Sequence, residues 1–162
     1  MRAILLFSVC FVYFKASACS LAPMLNQFDI QPNEIAEQAS KPSFTVSGIH
    51  RGTDDGNHGS CSDAGVITLK LQKAYPNQGY IFEIVDGEFE DLLFNNFPVT
   101  PSEFVEDKSI FSFIWFDGSS IEQEPFSIKV KIIAVSRTGN KSTPQYLTIA
   151  HAGVKKPWWR LW

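Results

Sequence analysis

The sequence predicts an all-β fold, an antiparallel β-sandwich, and three observations carry that prediction. Apolar and polar residues alternate with period two in successive stretches, the mark of strands with one buried face. Gly, Asn, Asp and Pro separate those stretches into six or seven strands at roughly 10–20-residue spacing. Little room is left for helix, and no internal repeat, low-complexity run or heptad pattern is present.

The 162-residue length suits one domain, and 44% apolar with 19% charged residues is the composition of a globular chain. The formal charge of -3 implies no broad basic surface, so nucleic acid is not an expected partner.

Arg2, the run AILLFSVCFVYF and Ala16-Ser17-Ala18 read as the positive, apolar and cleavage regions of a secretory signal peptide over residues 1–18, with Lys15 its untidy feature. The competing reading is a buried N-terminal strand or helix. Cleavage after Ala18 removes Arg2, Lys15 and Cys10. It leaves 12 basic against 17 acidic residues, a charge of -5, with Cys19 and Cys61 as an even pair in an oxidising compartment. A Cys19–Cys61 bridge would close a loop of about 40 residues, worth on the order of 4 kcal/mol in the chain-entropy model. A Cys directly after the cleavage site also resembles a bacterial lipoprotein, in which it would be acylated. Ala16 stands where that family usually has Leu, so the disulfide ranks ahead of the lipid.

Residues 19–42 read as an extended lead punctuated by Pro23, Pro32 and Pro42, in which only NEIAEQA could make a helical turn or two. Cys19 could tie it along the domain. The sandwich is expected over residues 43–152. Its first strand is FTVSGI (Phe44 to Ile49). GVITLKLQ (Gly65 to Gln72) follows, with Ile67, Leu69 and Leu71 on one face. GYIFEIVDG alternates Tyr80, Phe82 and Ile84 against Ile81, Glu83 and Val85. FEDLLFNNF reads as a short edge strand or one helical turn, and Pro98 and Pro101 exclude a long regular element there. SIFSFIWFDG puts Phe111, Phe113 and Trp115 on one face and Ile110, Ile114 and Phe116 on the other, so it is expected to be a central strand buried on both.

The best-specified stretch is FSIKVKIIAVSRTGNKSTPQYLTI, Phe126 to Ile149. With Gly139-Asn140 as a two-residue turn, Ile132 faces Leu147 and Val130 faces Ile149, apolar side chains on one face. This hairpin resembles the last two strands of fibronectin type III and related bacterial Ig-like domains. The carriers are Val130, Ile132, Ala134, Val135, Gly139, Asn140, Ser142, Pro144, Leu147 and Ile149. The resemblance covers about 25 residues well. Ser136 stands where many such domains have Asp, and the early-strand Trp they often keep has no counterpart, though Trp115 could fill the core from a later strand. The resemblance implies an Ig-like sandwich, a habit of binding proteins or carbohydrates, and no catalytic residues.

The densest chemistry lies in HRGTDDGNHGSCSDAG, His50 to Gly65. His50, His58 and Cys61 have the residue types for zinc, which would make this a periplasmic metal-binding protein. A bridged Cys61 would be lost as a ligand, and the glycines favour a plain connection between strands. Asp54-Asp55-Gly56-Asn57 lacks the spaced oxygens of a calcium loop. Glu83, Asp86, Glu88, Glu90 and Asp91 could pair as the carboxylates of a small hydrolase, though a solvated strand end explains them more simply. No G-x-S-x-G nucleophile elbow and no phosphate-cradling Gly loop occurs. The expectation is therefore a non-enzymatic binding or structural module, without cofactor, exported to the periplasm or beyond.

The tail, residues 153–162, concentrates Trp158, Trp159 and Trp162 with Lys155, Lys156 and Arg160. Trp and cations suit a membrane interface with anionic head groups, or a docking peptide for an envelope partner. The reading placed first is intramolecular: the rings cover an end or edge of the sandwich while the cations stay solvated.

Overall fold

The computed structural model describes residues 24–32, 37–53, 55–57, 60–89, 92–118 and 123–155. Eight strands occur among them: β1 (Leu25–Gln27), β2 (Phe44–His50), β3 (Ala64–Leu71), β4 (Gln78–Asp86), β5 (Val99–Pro101), β6 (Ile110–Phe116), β7 (Phe126–Ser136) and β8 (Gln145–His151). They form two antiparallel sheets. One has the order β2-β3-β6 and the other β1-β5-β4-β7-β8. The chain is thus an all-β antiparallel sandwich, as the alternation predicts. No helix of the described residues is long and apolar enough to cross a membrane.

The core is what the period-two pattern dictates. Ile67, Leu69 and Leu71 of β3, Phe111, Phe113 and Trp115 of β6 and Phe44 of β2 face inward from one sheet. Tyr80 and Phe82 of β4, Ile128, Val130, Ile132 and Ala134 of β7 and Ile149 of β8 meet them from the other. Aromatic edges lock the layers together. Phe44 lies edge-on to Tyr80 at 5.1 Å, to Phe82 at 5.4 Å and to Phe111 at 5.0 Å between centroids. Such pairs add roughly 0.5–1.5 kcal/mol each beyond area burial. Glu83 and Lys131 sit opposite one another on β4 and β7, on the other side of the strands from Phe82 and Ile132. There they form an ion pair of 2.9 Å.

The structure corrects the sequence reading in three places. The hairpin register is shifted by two residues: Val130 pairs with Leu147, Ile128 with Ile149 and Ile132 with Gln145. A shift of two keeps the faces, so the apolar side chains still point inward. Two features cause the shift: the turn is a three-residue loop rather than Gly139-Asn140, which shifts the register by three, and one extra residue between Ser142 and Gln145 returns it by one. Ser136 donates its backbone N–H to the Asn140 carbonyl and accepts from Gly139 N–H, both at 2.9 Å. Gly139 alone takes the left-handed conformation, with φ of 87°. Val135 then bridges Lys141, and pairing resumes at Gln145 after Pro144.

Second, β6 is the edge of its sheet rather than a central strand. Its second face is only partly covered, and Phe116 is 64% exposed. Third, the described part of FEDLLFNNF is neither strand nor helix. Leu93 and Phe94 drop into the core, where Phe94 stacks on Phe82 and meets Phe113 edge-on at 4.8 Å. Neighbouring side chains inserted together cannot keep a strand's alternation.

The lead also contributes β1, which pairs with β5 beyond the expected start of the sandwich. Further on, Gln31 N–H bonds the Arg137 carbonyl at 2.6 Å, and Glu37 N–H bonds Thr138 Oγ1 at 3.2 Å. Of NEIAEQA, residues 33–36 lie outside the described residues, and Glu37, Gln38 and Ala39 are in no regular element.

Candidate functional site

The loop following β2 and the connection between β6 and β7 meet at one end of the sandwich. Their meeting point is Arg51, buried with 8% of its side chain exposed, against Asp117 with 1%. The pair is bidentate. Arg51 Nε donates to Asp117 Oδ2 and Nη2 to Asp117 Oδ1, both at 2.7 Å. Gly52 N–H gives Oδ2 a further bond of 2.7 Å, and Arg51 Nη1 donates to the Glu124 carbonyl at 2.9 Å. Gln123 Nε2 closes the ring by donating to the Gly52 carbonyl at 2.7 Å. A planar guanidinium is suited to this task because its fork matches both carboxylate oxygens and leaves a donor for the carbonyl.

Burial alone would raise the Asp117 pKa. The Arg51 hydrogen bond, the Gly52 N–H and the Arg51 charge outweigh it, so the carboxyl is held below its ordinary value of 3.8.

Aromatic rings wall the guanidinium. Its carbon lies 5.5 Å from the Phe126 ring centroid and 6.0 Å from that of Trp115. Phe89 meets Trp115 edge-on at 5.4 Å and Phe126 at 5.1 Å. Trp115 reaches this place because its register partner on β3 is Gly65, whose added Cβ would fall 2.3 Å from the indole ring. Together these groups border a cavity of about 280 Å³, which Glu88, Gln123 and Glu124 also line. Gln123 is 8% exposed, and its Oε1 has no hydrogen-bond partner. The arrangement can hold a ligand with a positive or apolar face for the acids and rings.

The His50–Gly65 loop is more ordered than a plain connection. Asp55 accepts from Asn57 N–H at 2.8 Å and from Ser60 Oγ at 3.0 Å. The Asn57 backbone, Ser62 and Ser60 lower its pKa in that order. Ser60 caps the short 3₁₀ turn Cys61–Asp63, and Asp63 bonds back to Ser60 N–H at 3.2 Å.

Of the residues singled out for metal, His50 ends β2 and is exposed, His58 lies outside the described residues, and Cys61 begins the 3₁₀ turn. Among the described residues, no three His, Cys, Asp or Glu side chains are grouped so as to hold a metal ion. Cys61 has a bonding partner, while Cys19 lies outside the described residues. So do the signal-peptide segment and the tail residues Trp158, Trp159, Arg160 and Trp162. Of the acids weighed for hydrolysis, Glu83 is paired to Lys131, Glu88 lines the Arg51 cavity, and Glu90 and Asp91 lie outside the described residues.

The central residues, Arg51 and Asp117, escape sequence reading because 66 positions separate them and no local spacing links them. The chain matches no family model, no curated protein and no solved structure in comparisons with all three.

Proposed function

We propose that this protein is an exported, non-enzymatic binding or structural module of the bacterial cell envelope, built on an Ig-like sandwich of fibronectin type III character. The observation that carries the reading is the Arg51–Asp117 brace. It fixes two loops at one end of a sandwich around an aromatic, acid-bordered cleft. Loops held rigidly on such a scaffold are where this architecture presents ligand-binding groups.

The strand order supports the Ig-like subtype. Three strands, β2-β3-β6, pack against β5-β4-β7-β8, and the chain crosses between sheets after β3, β5 and β6 before closing with the β7–β8 hairpin. Export rests on the leader pattern of residues 1–18 and on the Cys19 and Cys61 pair. The expected partner is an envelope protein or polymer, with the basic, Trp-rich tail as a supplementary contact.

The test is saturable binding of the exported, purified protein to defined envelope fractions, comparing wild type with Glu88→Gln and Glu124→Gln. Both substitutions change the carboxylates beside the cleft without removing the Glu124 carbonyl that Arg51 uses. Binding that weakens in both variants supports the reading. No binding, or binding indifferent to both, contradicts it.

A further inference from the structure

The last described residues of the chain are tied to the wall of the Arg51 cavity. Val154 and Gln123 exchange both backbone hydrogen bonds: Gln123 N–H donates to the Val154 carbonyl at 2.8 Å, and Val154 N–H to the Gln123 carbonyl at 2.9 Å. Gly153 before it has φ of 79° and lies so close to the Gln123 carbonyl and the Pro125 nitrogen that no Cβ would fit. Gly153 N–H donates to His151 Nδ1 at 3.0 Å, and the His151 ring stacks on Phe126. Gln123, Pro125 and Phe126 all line the cavity, so the chain passes into its tail at the cavity's edge. Lys155 is the last described residue. Pro157 has no N–H, so the pairing with the Gln123 segment cannot run on through it. Four residues of chain span up to about 14 Å, which leaves Trp158 and the residues after it within reach of a cavity whose wall residue Val154 bonds.

Charge and size both suit this cavity to the tail. Asp117 neutralises Arg51, and no other cation among the described residues lines the cavity, so Glu88 and Glu124 leave it with an acidic excess. Phe89, Trp115 and Phe126 supply its apolar surface. The tail is the complement, with Lys155, Lys156 and Arg160 set among Trp158, Trp159 and Trp162. A volume of about 280 Å³ falls just below the roughly 300–1,000 Å³ of sites that enclose drug-sized ligands. It takes one large side chain and leaves the neighbouring groups at the rim. A larger cleft, of about 630 Å³, is lined by Lys108 and Arg137 and by no acid among the described residues, so it repels the same segment.

We propose that the tail of this same chain, residues 156–162, docks in the Arg51 cavity. One indole, from Trp158 or Trp159, packs among the cavity's aromatic rings, and Lys156 and Arg160 sit by Glu88 and Glu124. Little intrinsic affinity is needed, because a short linker holds the tail at millimolar effective concentration. The docked tail shields the cleft, and an envelope ligand must displace it; this last step rests on the reading of the Arg51 end as a binding site. Displacement frees the tail for its own contact with the partner.

The test uses the full mature chain, with Trp158→Ala, Trp159→Ala and Trp162→Ala made together to empty the cavity. Trp115 is then the one tryptophan left of four, and its blue-shifted emission checks that the end of the sandwich is intact. The probe is the free peptide KKPWWRLW, titrated calorimetrically at low ionic strength, with KKPAARLA as the control. The peptide is expected to bind the triple variant saturably and wild type at least about tenfold more weakly, because the wild-type tail competes from within the chain. Adding Glu88→Lys and Glu124→Lys to the triple variant should weaken the peptide roughly tenfold, and rising salt should weaken it too. Lys156→Glu with Arg160→Glu, which keeps every ring, takes the place of the triple variant should that variant fold poorly. No peptide binding to the emptied cavity at millimolar concentration, equal binding to wild type and variant, equal binding of KKPAARLA, or indifference to the charge reversals would overturn the proposal. So would a wild type that sediments as a dimer beside a monomeric triple variant, since the tail then docks in a second copy. None of these readouts uses an envelope ligand, so failure here leaves the reading of the Arg51 end standing, and a failure of envelope binding leaves the docked tail standing.

Discussion

Replacing Asp117 by Ala strikes the brace that holds the loops of the Arg51 end. The substitution removes the acceptors of two Arg51 bonds and of the Gly52 N–H, all at 2.7 Å. It leaves a guanidinium with only 8% of its side chain exposed and no opposing charge. Breaking a buried pair this way costs about 3–5 kcal/mol, because the remaining charge is desolvated and unpaired. Urea unfolding followed by tryptophan fluorescence measures the loss, which should appear as a lower midpoint with an unchanged m-value. The double replacement Arg51→Met/Asp117→Leu should recover most of it, since the surrounding Phe126 and Trp115 rings suit an apolar pair. A loss below about 1 kcal/mol for Asp117→Ala, the range of a solvated surface pair, would refute the reasoning.

Three further outcomes follow from the same geometry. Ile132→Ala, at a fully buried site, should cost about 2–5 kcal/mol by cavity formation, whereas Lys131→Ala on the outer face should be close to neutral; denaturant titrations of the pair check the face assignment. Gly139→Ala should cost about 1–2 kcal/mol for the backbone alone, since φ is 87° and the new Cβ would meet only Ile30 at an ordinary 3.4 Å. The depressed Asp117 pKa makes the brace's stabilisation complete above the unfolded value near 3.8, and it is lost as pH falls from there through the lower folded value. Unfolding curves between about pH 6 and pH 2 should show a wild-type decline that Asp117→Asn partly loses.

Much of the sandwich was legible because its inward residues follow strict alternation. Ile67, Leu69 and Leu71, or Phe111, Phe113 and Trp115, announce a face whatever they pack against. What pairing alone decides was less so. That β6 is an edge depends on which strands neighbour it, and the β7–β8 register depends on whether Gly139 begins a two-residue loop or ends a three-residue one. A three-residue loop alone would reverse the face, and the extra residue before Gln145 restores it, so hydrophobic pattern could not separate the two registers. The Arg51 end was illegible for another reason. Its members come from separate loops and carry no motif, and the conspicuous residues nearby, His50, Asp55 and Asp63, turn out to end a strand or to organise the loop itself.

As proposed above, the chain works outside the cytoplasm as a bridge-tied, unlipidated sandwich. Intact mass of the protein recovered from the export compartment tests it most directly, before and after reduction. The expected mass is that of residues 19–162 with no acyl chain, rising by two hydrogens on reduction as the Cys19–Cys61 bridge opens. Retention of residues 1–18, an acyl adduct on Cys19, or a mass unmoved by reduction would contradict it.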